Sequence, residues 1–216
     1  MNILIMGGPG AGKGTVSAKI VEKFSLLHIS TGDIFRSEIG KQTELGLLAK
    51  SYIDQGQLVP DEVTNPMVKS FLENQDTSNG YLLDGYPRTL AQAKVFDELV
   101  KGTDLEVQLV VNLHLPFDVL TDRITGRRIC RNCKDIYHIV SKPPKVEGVC
   151  DVCGGELYQR KDDTVESLKT RLEGYCANAL PILDYYADKG IVGIIDADQS
   201  REDVWKDVEK MLEACK

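Results

Sequence analysis

The chain has little of what marks several common protein classes. No apolar run reaches the length of a membrane span, so no membrane partner is expected. The opening Met1-Asn2-Ile3-Leu4-Ile5-Met6 has no basic segment, and its apolar stretch stops at Gly7, too short for a secretory signal. A cytoplasmic location is the resulting expectation. Positive charge is in deficit: 26 Lys and Arg against 33 Asp and Glu give a formal charge of −7. A protein that lives on nucleic-acid backbone carries the opposite sign, so no nucleic-acid partner is expected. Small phosphate ligands need only a few well-placed cations. Histidine is scarce, and none of His28, His114 and His138 sits in a context that suggests acid–base catalysis. There is no internal repeat and no low-complexity tract.

What is present is an alternation. Five short apolar runs, Ile3–Met6, Leu27–Ile29, Tyr81–Leu83, Leu109–Leu115 and Ile191–Ile195, have the composition of buried strands. Segments of helical spacing lie between them, such as Val16, Ile20, Phe24 and Val204, Val208, Met211, Leu212. The pattern predicts a parallel sheet covered by helices on both faces, within a chain of 216 residues that suffices for one core and small insertions. Two stretches interrupt it. Residues from Thr31 to about Val59 read as a helical insertion with Ile34, Ile39, Leu45, Leu48 and Ile53 as its apolar side. Residues from about Arg128 to Asp163 read as a small loop-rich insertion with Pro143-Pro144 and Gly148, Gly154 and Gly155.

Gly7-Gly8-Pro9-Gly10-Ala11-Gly12-Lys13-Gly14-Thr15 follows the first strand and opens a helix, the setting a phosphate-binding loop requires. Glycines let several backbone N–H groups turn toward one phosphate. The helix N-terminus adds free N–H groups and the positive end of its dipole. Lys13 brings a mobile charge to the outer phosphates. The hydroxyl residue that usually follows the lysine comes one place later, at Thr15, with Gly14 between. Asp84 closes the Tyr81–Leu83 strand, where a carboxylate can face magnesium and its water shell.

Only nine residues are arginine, and Arg36, Arg88, Arg123, Arg127, Arg128, Arg131, Arg160 and Arg171 cluster near loops and Gly or Pro turns. A guanidinium grips two phosphate oxygens at once and keeps its charge when desolvated. For any single arginine a surface salt bridge is the better reading. The set favours phosphate work. Arg123 and Arg127 share a face if their helix runs through Gly126.

Cys130-x2-Cys133 and Cys150-x2-Cys153 are sixteen residues apart, the spacing of a four-sulfur zinc site. Four protein ligands leave no open position, so the metal reads as structural. Disulfides are the alternative, which a reducing compartment disfavours. Cys176 and Cys215 fall at helix-like positions and read as small packing residues.

Gly7 to Thr15, Ser30-Thr31-Gly32-Asp33, Asp84-Gly85-Tyr86-Pro87-Arg88, Asp122-Arg123-Ile124-Thr125-Gly126-Arg127-Arg128 and Arg160-Lys161-Asp162-Asp163 together resemble bacterial adenylate kinases of the long-lid, zinc-bearing type, in order and spacing along nearly the whole chain. The resemblance implies a P-loop kinase fold of class α/β. Its core would be residues 1–29, 60–125 and 164–216, with a monophosphate-binding insertion at 30–59 and a zinc-bearing lid at 126–163. It implies ATP binding by Gly10, Ala11, Gly12, Lys13, Gly14, Thr15, Arg123, Arg127, Ile136, Tyr137 and Gln199. It implies AMP binding by Thr31, Arg36, Gln57, Leu58, Val59, Gly85, Tyr86, Pro87, Arg88, Gln92, Arg160 and Arg171. The implied activity is reversible phosphoryl transfer from Mg-ATP to AMP by a monomer, giving two ADP.

The chemistry agrees. A monophosphate acceptor is already anionic, so no general base is needed, only alignment of two anions and neutralisation of the moving group. Lys13, Asp84, Arg88, Arg123, Arg160 and Arg171, with magnesium, are the candidates for that work. Three rivals are weighed: a monophosphate kinase for another base, a zinc-ribbon nucleic-acid binder switched by nucleotide, and a protein that binds nucleotide without chemistry. The long lid with its cysteine pairs argues against the first. The negative charge and the lack of aromatics interleaved with the cysteines argue against the second.

Overall fold

The computed structural model of the protein describes residues 1–116 and 119–215. Strands β1 (Asn2–Gly7), β2 (Leu27–Ser30), β3 (Tyr81–Asp84), β4 (Leu109–His114) and β8 (Val192–Asp196) form a sheet in the order β2-β3-β1-β4-β8, parallel throughout. All five predicted runs are in it. All six residues of β1 are buried, because it lies between β3 and β4 and is covered on both faces.

Alternate side chains feed two cores. Ile3, Ile5, Leu82, Val111 and Leu113 point to one face, where α1 (Lys13–Phe24) and α8 (Arg201–Glu213) bring Val16, Ile20, Val204, Val208 and Leu212. Leu4, Met6, Tyr81, Leu83 and Val110 point to the other. There α4 (Asp61–Glu73), α5 (Leu90–Val100) and α7 (Val165–Ala187) supply Val68, Leu72, Ala93, Phe96, Ala179, Ile182 and Tyr186. Full burial of each large apolar side chain contributes about 1.5–3 kcal/mol. Side-chain oxygens start several helices: Ser30, Thr43, Thr89, Thr164 and Ser200 each accept an N–H three residues on.

The two interruptions differ in construction. Between β2 and α4 stand α2 (Thr31–Lys41) and α3 (Glu44–Ile53), around a small core of Phe35, Ala49 and Val59 with Leu45, Tyr52, Ile53, Val63 and Met67. The helical reading holds, but Leu48 faces solvent, and Phe35 and Ala49 take the inner positions. The second interruption is more ordered than its loop-rich composition suggests. After α6 (Leu120–Thr125), strands β5 (Arg127–Cys130), β6 (Ile136–His138) and β7 (Leu157–Tyr158) make an antiparallel sheet in the order β6-β5-β7.

Helix α6 ends at Thr125, and Arg127 already belongs to β5, so Arg123 and Arg127 do not share a helical face. Cys176 and Cys215 are exposed and are not packing residues: each lies on the solvent side of its segment.

Candidate active site

The site opens over the carboxyl ends of β1 and β3, where parallel α/β sheets place their ligands. Gly10 and Gly12 have φ of 87° and 94°, a region glycine enters freely, and this curls the loop after β1. Helix α1 begins at Lys13 with no side-chain cap, and among the described residues no carbonyl takes the amides of Gly12, Lys13 and Gly14. An uncapped N-terminus of this kind suits a phosphate. Lys13 folds across its own loop, and Nζ donates to Gly7 O at 2.6 Å and Gly8 O at 3.0 Å. Burial pulls its pKa down to about 8; Asp84 opposes this, while Arg88, Arg171 and Arg127 add to it. Gly14 lies close under β6: a Cβ there would come 3.0 Å from Ile136 Cδ1. Ile136 of β6 therefore lies directly over the start of α1, and no side chain at position 14 stands between them.

Beside the loop is a cleft lined among others by Thr31, Arg36, Gln57, Leu58, Val59, Gly85, Arg88, Gln92 and Arg171. Thr31 Oγ1 donates to Gly85 O at 2.9 Å, which ties α2 to the end of β3. Arg88 Nε donates to Gly85 O at 2.7 Å. Burial depresses its pKa, Asp84 opposes, and Arg36 adds to the depression. Tyr86 and Pro87 do not line the cleft. Tyr86 turns into the core against Phe96, and its hydroxyl donates to Asn65 Oδ1 at 2.7 Å.

The remaining arginines reach the site from the other segments. Arg160 Nη2 lies 3.5 Å from Asp33 Oδ1, so residues beyond β7 touch α2 across the cleft. Its Nε is buried and takes no acceptor among the described residues. Arg171 on α7 donates to Asp162 Oδ2 at 3.2 Å, and Arg127 Nε donates to Asp163 Oδ2 at 2.9 Å. Burial, reinforced by neighbouring guanidiniums, lowers Arg160 and Arg171 to about 10 each. Arg123 donates to Ala197 O at 3.2 Å. Gln199 Nε2 is held by Asp196 O at 2.9 Å and Asp207 Oδ2 at 2.8 Å. The charges of Lys13, Arg88, Arg127 and Arg171 bear on one another, and such a gathering of cations suits phosphate.

Comparison with known proteins identifies the family. A sequence model of the family described as "Adenylate kinase" matches residues 5–191. The adenylate kinase of Streptococcus thermophilus is 52% identical over 218 residues, covering 100% of both chains. That of Bacillus licheniformis is 50% identical over 212 residues, covering 98% of each. That of Carboxydothermus hydrogenoformans is 48% identical over 213 residues, covering 99% of this chain and 100% of its own. The chain belongs to the adenylate kinase family.

The cysteine cluster has the donor set and spacing that fit a zinc ion. The four Sγ atoms of Cys130, Cys133, Cys150 and Cys153 all lie within 4.8 Å of one another, with Cys130–Cys153 at 3.4 Å and Cys133–Cys150 at 3.5 Å. A tetrahedral zinc with bonds of about 2.3 Å sets its sulfurs about 3.8 Å apart. Disulfides need about 2.05 Å, and all four cysteines are free. The two turns repeat each other. Lys134 N donates to Cys130 O and Gly154 N to Cys150 O, with φ of 64° and 70° at those residues. Burial pushes the Cys150 thiol up, but the Tyr137 hydroxyl and the amides of Cys153 and Val152 bring it down, while the Asp135 amide lowers Cys133 less than burial and the neighbouring sulfurs push it up. His138 is not part of the cluster. Its Nδ1 accepts from Val140 N and Ser141 N, so Nε2 carries the proton and donates to Asp122 O at 2.9 Å.

Three placements differ from expectation. Tyr137 is 1% exposed, packs in the β5–β7 core and meets Cys150 with its hydroxyl, so its side chain faces away from the phosphate loop. Arg128 donates to Thr125 O and Arg127 O, and Arg131 pairs with Glu156 over the ring of Tyr158; neither reaches the site. The carboxylates that hold the arginines, Asp33, Asp162 and Asp163, and Asp61 behind Gln92, were not singled out from the sequence. The only signal for the first three was their place inside recognisable motifs.

Proposed function

We infer that the protein transfers the terminal phosphoryl group of Mg-ATP to AMP, reversibly, giving two ADP. The observation that carries this reading is the junction of the phosphate loop with the cleft at Thr31–Gln92, crossed by cations from α2, the β3 end, α7 and the residues beyond β7. ATP would lie with its phosphates on Gly10 to Thr15, flanked by Arg123, Arg127, Ile136, the backbone of Tyr137, and Gln199. AMP would occupy the cleft, with its phosphate among Arg36, Arg88, Arg160 and Arg171 and its base toward Thr31, the Gln57 to Val59 segment and Gln92.

In the reaction an AMP phosphate oxygen forms the new bond to the γ-phosphorus. The bond from that phosphorus to the β–γ bridging oxygen breaks, and its electron pair stays on the departing ADP. No proton needs to move, which fits a site without histidine. Lys13, Arg88, Arg123, Arg160 and Arg171 spread positive charge along the path of the phosphoryl group; magnesium would enter with the ATP, and Asp84 would hold its water shell. Residues 126–163 act as a lid over both nucleotides, and residues 30–59 carry the AMP side; closure excludes water, the competing acceptor. Cys130, Cys133, Cys150 and Cys153 would hold a structural zinc, which supplies folding energy to the lid. The protein works as a cytoplasmic monomer. Among the described residues no helix is long and apolar enough to cross a membrane.

A spectrophotometric assay of purified protein with Mg-ATP and AMP, GMP, CMP or UMP tests this. ADP formation strongly favouring AMP is expected. No ADP from ATP and AMP overturns the reading.

A further inference from the structure

We propose that Asp61 sets the direction in which Gln92 reads the acceptor base, and so makes the site selective for a 6-amino over a 6-oxo purine. The inference rests on the proposed function, in that the cleft must hold a nucleoside monophosphate. Gln92 lines that cleft yet is only 2% exposed. Both ends of its amide are held. Oε1 accepts from the backbone N of Arg88 at 2.7 Å, and Nε2 donates to Asp61 Oδ1 at 2.6 Å. The backbone N–H of Arg88 can only donate, and an ionised carboxylate can only accept. The orientation of the amide is therefore dictated by the chemistry of its partners. Turning it over would set N–H against N–H at Arg88 and oxygen against oxygen at Asp61.

Asp61 is itself fixed. It stands in the first turn of α4, and its Oδ2 accepts from Thr89 Oγ1 at 3.2 Å. Thr89 caps α5 by accepting from Gln92 N at 3.1 Å. The carboxylate, the capping hydroxyl and the amide form a closed loop joining the starts of α4 and α5. After these bonds the Gln92 amide has one N–H and one lone pair left, in a fixed order. Adenine offers an acceptor, N1, beside a donor, the 6-amino group. Hypoxanthine has the same outline with a donor, N1–H, beside an acceptor, O6. The held amide pairs with the first edge and opposes the second. A site built to hydrogen-bond one such edge rejects the reversed one far more strongly than a shape filter can.

The test is the ratio of kcat/KM for AMP to that for IMP, measured for the wild type, Asp61→Asn and Asp61→Ser. An amide or hydroxyl at position 61 can donate as well as accept, so it lifts the bar on that side and leaves only the Arg88 N–H against the turned-over Gln92. The ratio is expected to fall by about tenfold, the worth of one hydrogen bond to a charged group. Asp61→Ser serves if Asp61→Asn fails to fold, as judged by its circular dichroism. A folded variant that loses activity toward both monophosphates equally, with the ratio unchanged, overturns the proposal, because a purely structural role predicts that result. A wild type that phosphorylates neither monophosphate overturns the proposed function and this inference with it. A wild type active on AMP with an unmoved ratio in the variants overturns this inference alone.

Discussion

Asp163→Asn removes one negative charge and almost no volume, which makes it the cleanest probe of how the arginines are held. The Asp163 side chain has no exposed surface. Its oxygens accept from Nε and Nη2 of Arg127, and Arg171 Nη1 lies 3.8 Å away. Asparagine offers one acceptor in place of two and no charge, so the Arg127 guanidinium loses its counter-ion while Arg171 keeps Asp162. Breaking a buried pair from one side costs about 3–5 kcal/mol, because the partner's charge remains buried. The unfolding entropy is about 2.1 cal/mol/K per residue, and over 216 residues the loss lowers the melting temperature by roughly 7–11 °C. The assay is thermal unfolding followed by circular dichroism, with turnover measured in parallel. Replacing both partners, Arg127→Met with Asp163→Leu, should recover most of the stability, since an apolar pair carries no desolvation cost. A melt within about 2 °C of the wild type for Asp163→Asn would refute the reasoning, because that is the range of a surface substitution.

Three further outcomes are expected. Arg88→Ala should cut turnover by roughly 10³–10⁵ while leaving the melt intact, since among the described residues the side chain bonds only Gly85 O; near-normal turnover removes it from the mechanism. Cys130→Ser should lower thermal stability and metal content and leave most of the activity at low temperature; an equally stable, metal-free, active variant would sink the structural zinc. For Lys13, a pKa lowered to about 8 means that the empty site disfavours its charge, and bound phosphates restore it. Mg-ATP affinity should be flat below pH 8 and weaken by up to about tenfold per unit above it, with proton uptake on binding at pH 9. Calorimetry in buffers of different ionisation heat measures that uptake, and its absence would remove Lys13 as the titrating group.

Much of the fold was legible because its causes are local. Burial on both faces makes the sheet strands continuous apolar runs, and the P-loop glycines and cysteine pairs are dictated by backbone conformation and ligand spacing within a few residues. What stayed hidden depends on distant partners. Asp163 looks like any loop acid until Arg127, thirty-six positions away, is beside it. Asp61 acquires meaning only through Gln92, thirty-one positions on. Tyr137 and Ile136 are adjacent on a two-sided strand, and nothing local says which side faces the phosphate loop. Tyr137 went inward because the small β5–β7 core needed a large ring and Cys150 a hydroxyl partner. The same ambiguity misplaced Leu48, where Ala49 was small enough for the tight α2–α3 contact. Exposed Cys176 sits on a long helix whose apolar stripe is narrow.

The partners of the site cations fall into two kinds, and the difference bears on how the site works. Lys13, Arg88 and Arg123 are held by backbone carbonyls, at Gly7 and Gly8, at Gly85 and at Ala197. A carbonyl fixes a cation's position without neutralising it, so the full charge remains for an incoming phosphate. Arg36 and Arg160 meet instead at the carboxylate of Asp33, which they keep below the usual acid range against the opposing effect of burial. A phosphate approaching those two arginines exchanges one anion for another, so its net gain is only the difference. This matters for an enzyme that must release two polyanionic products: cations held wholly bare would bind ADP too tightly for turnover. Asp33 also stands on α2 while Arg160 lies beyond β7, so the same contact joins the two insertions across the cleft. On the proposed lid reading, closure and charge neutralisation are one event, because Arg160 would be brought by the segment that excludes water from the site.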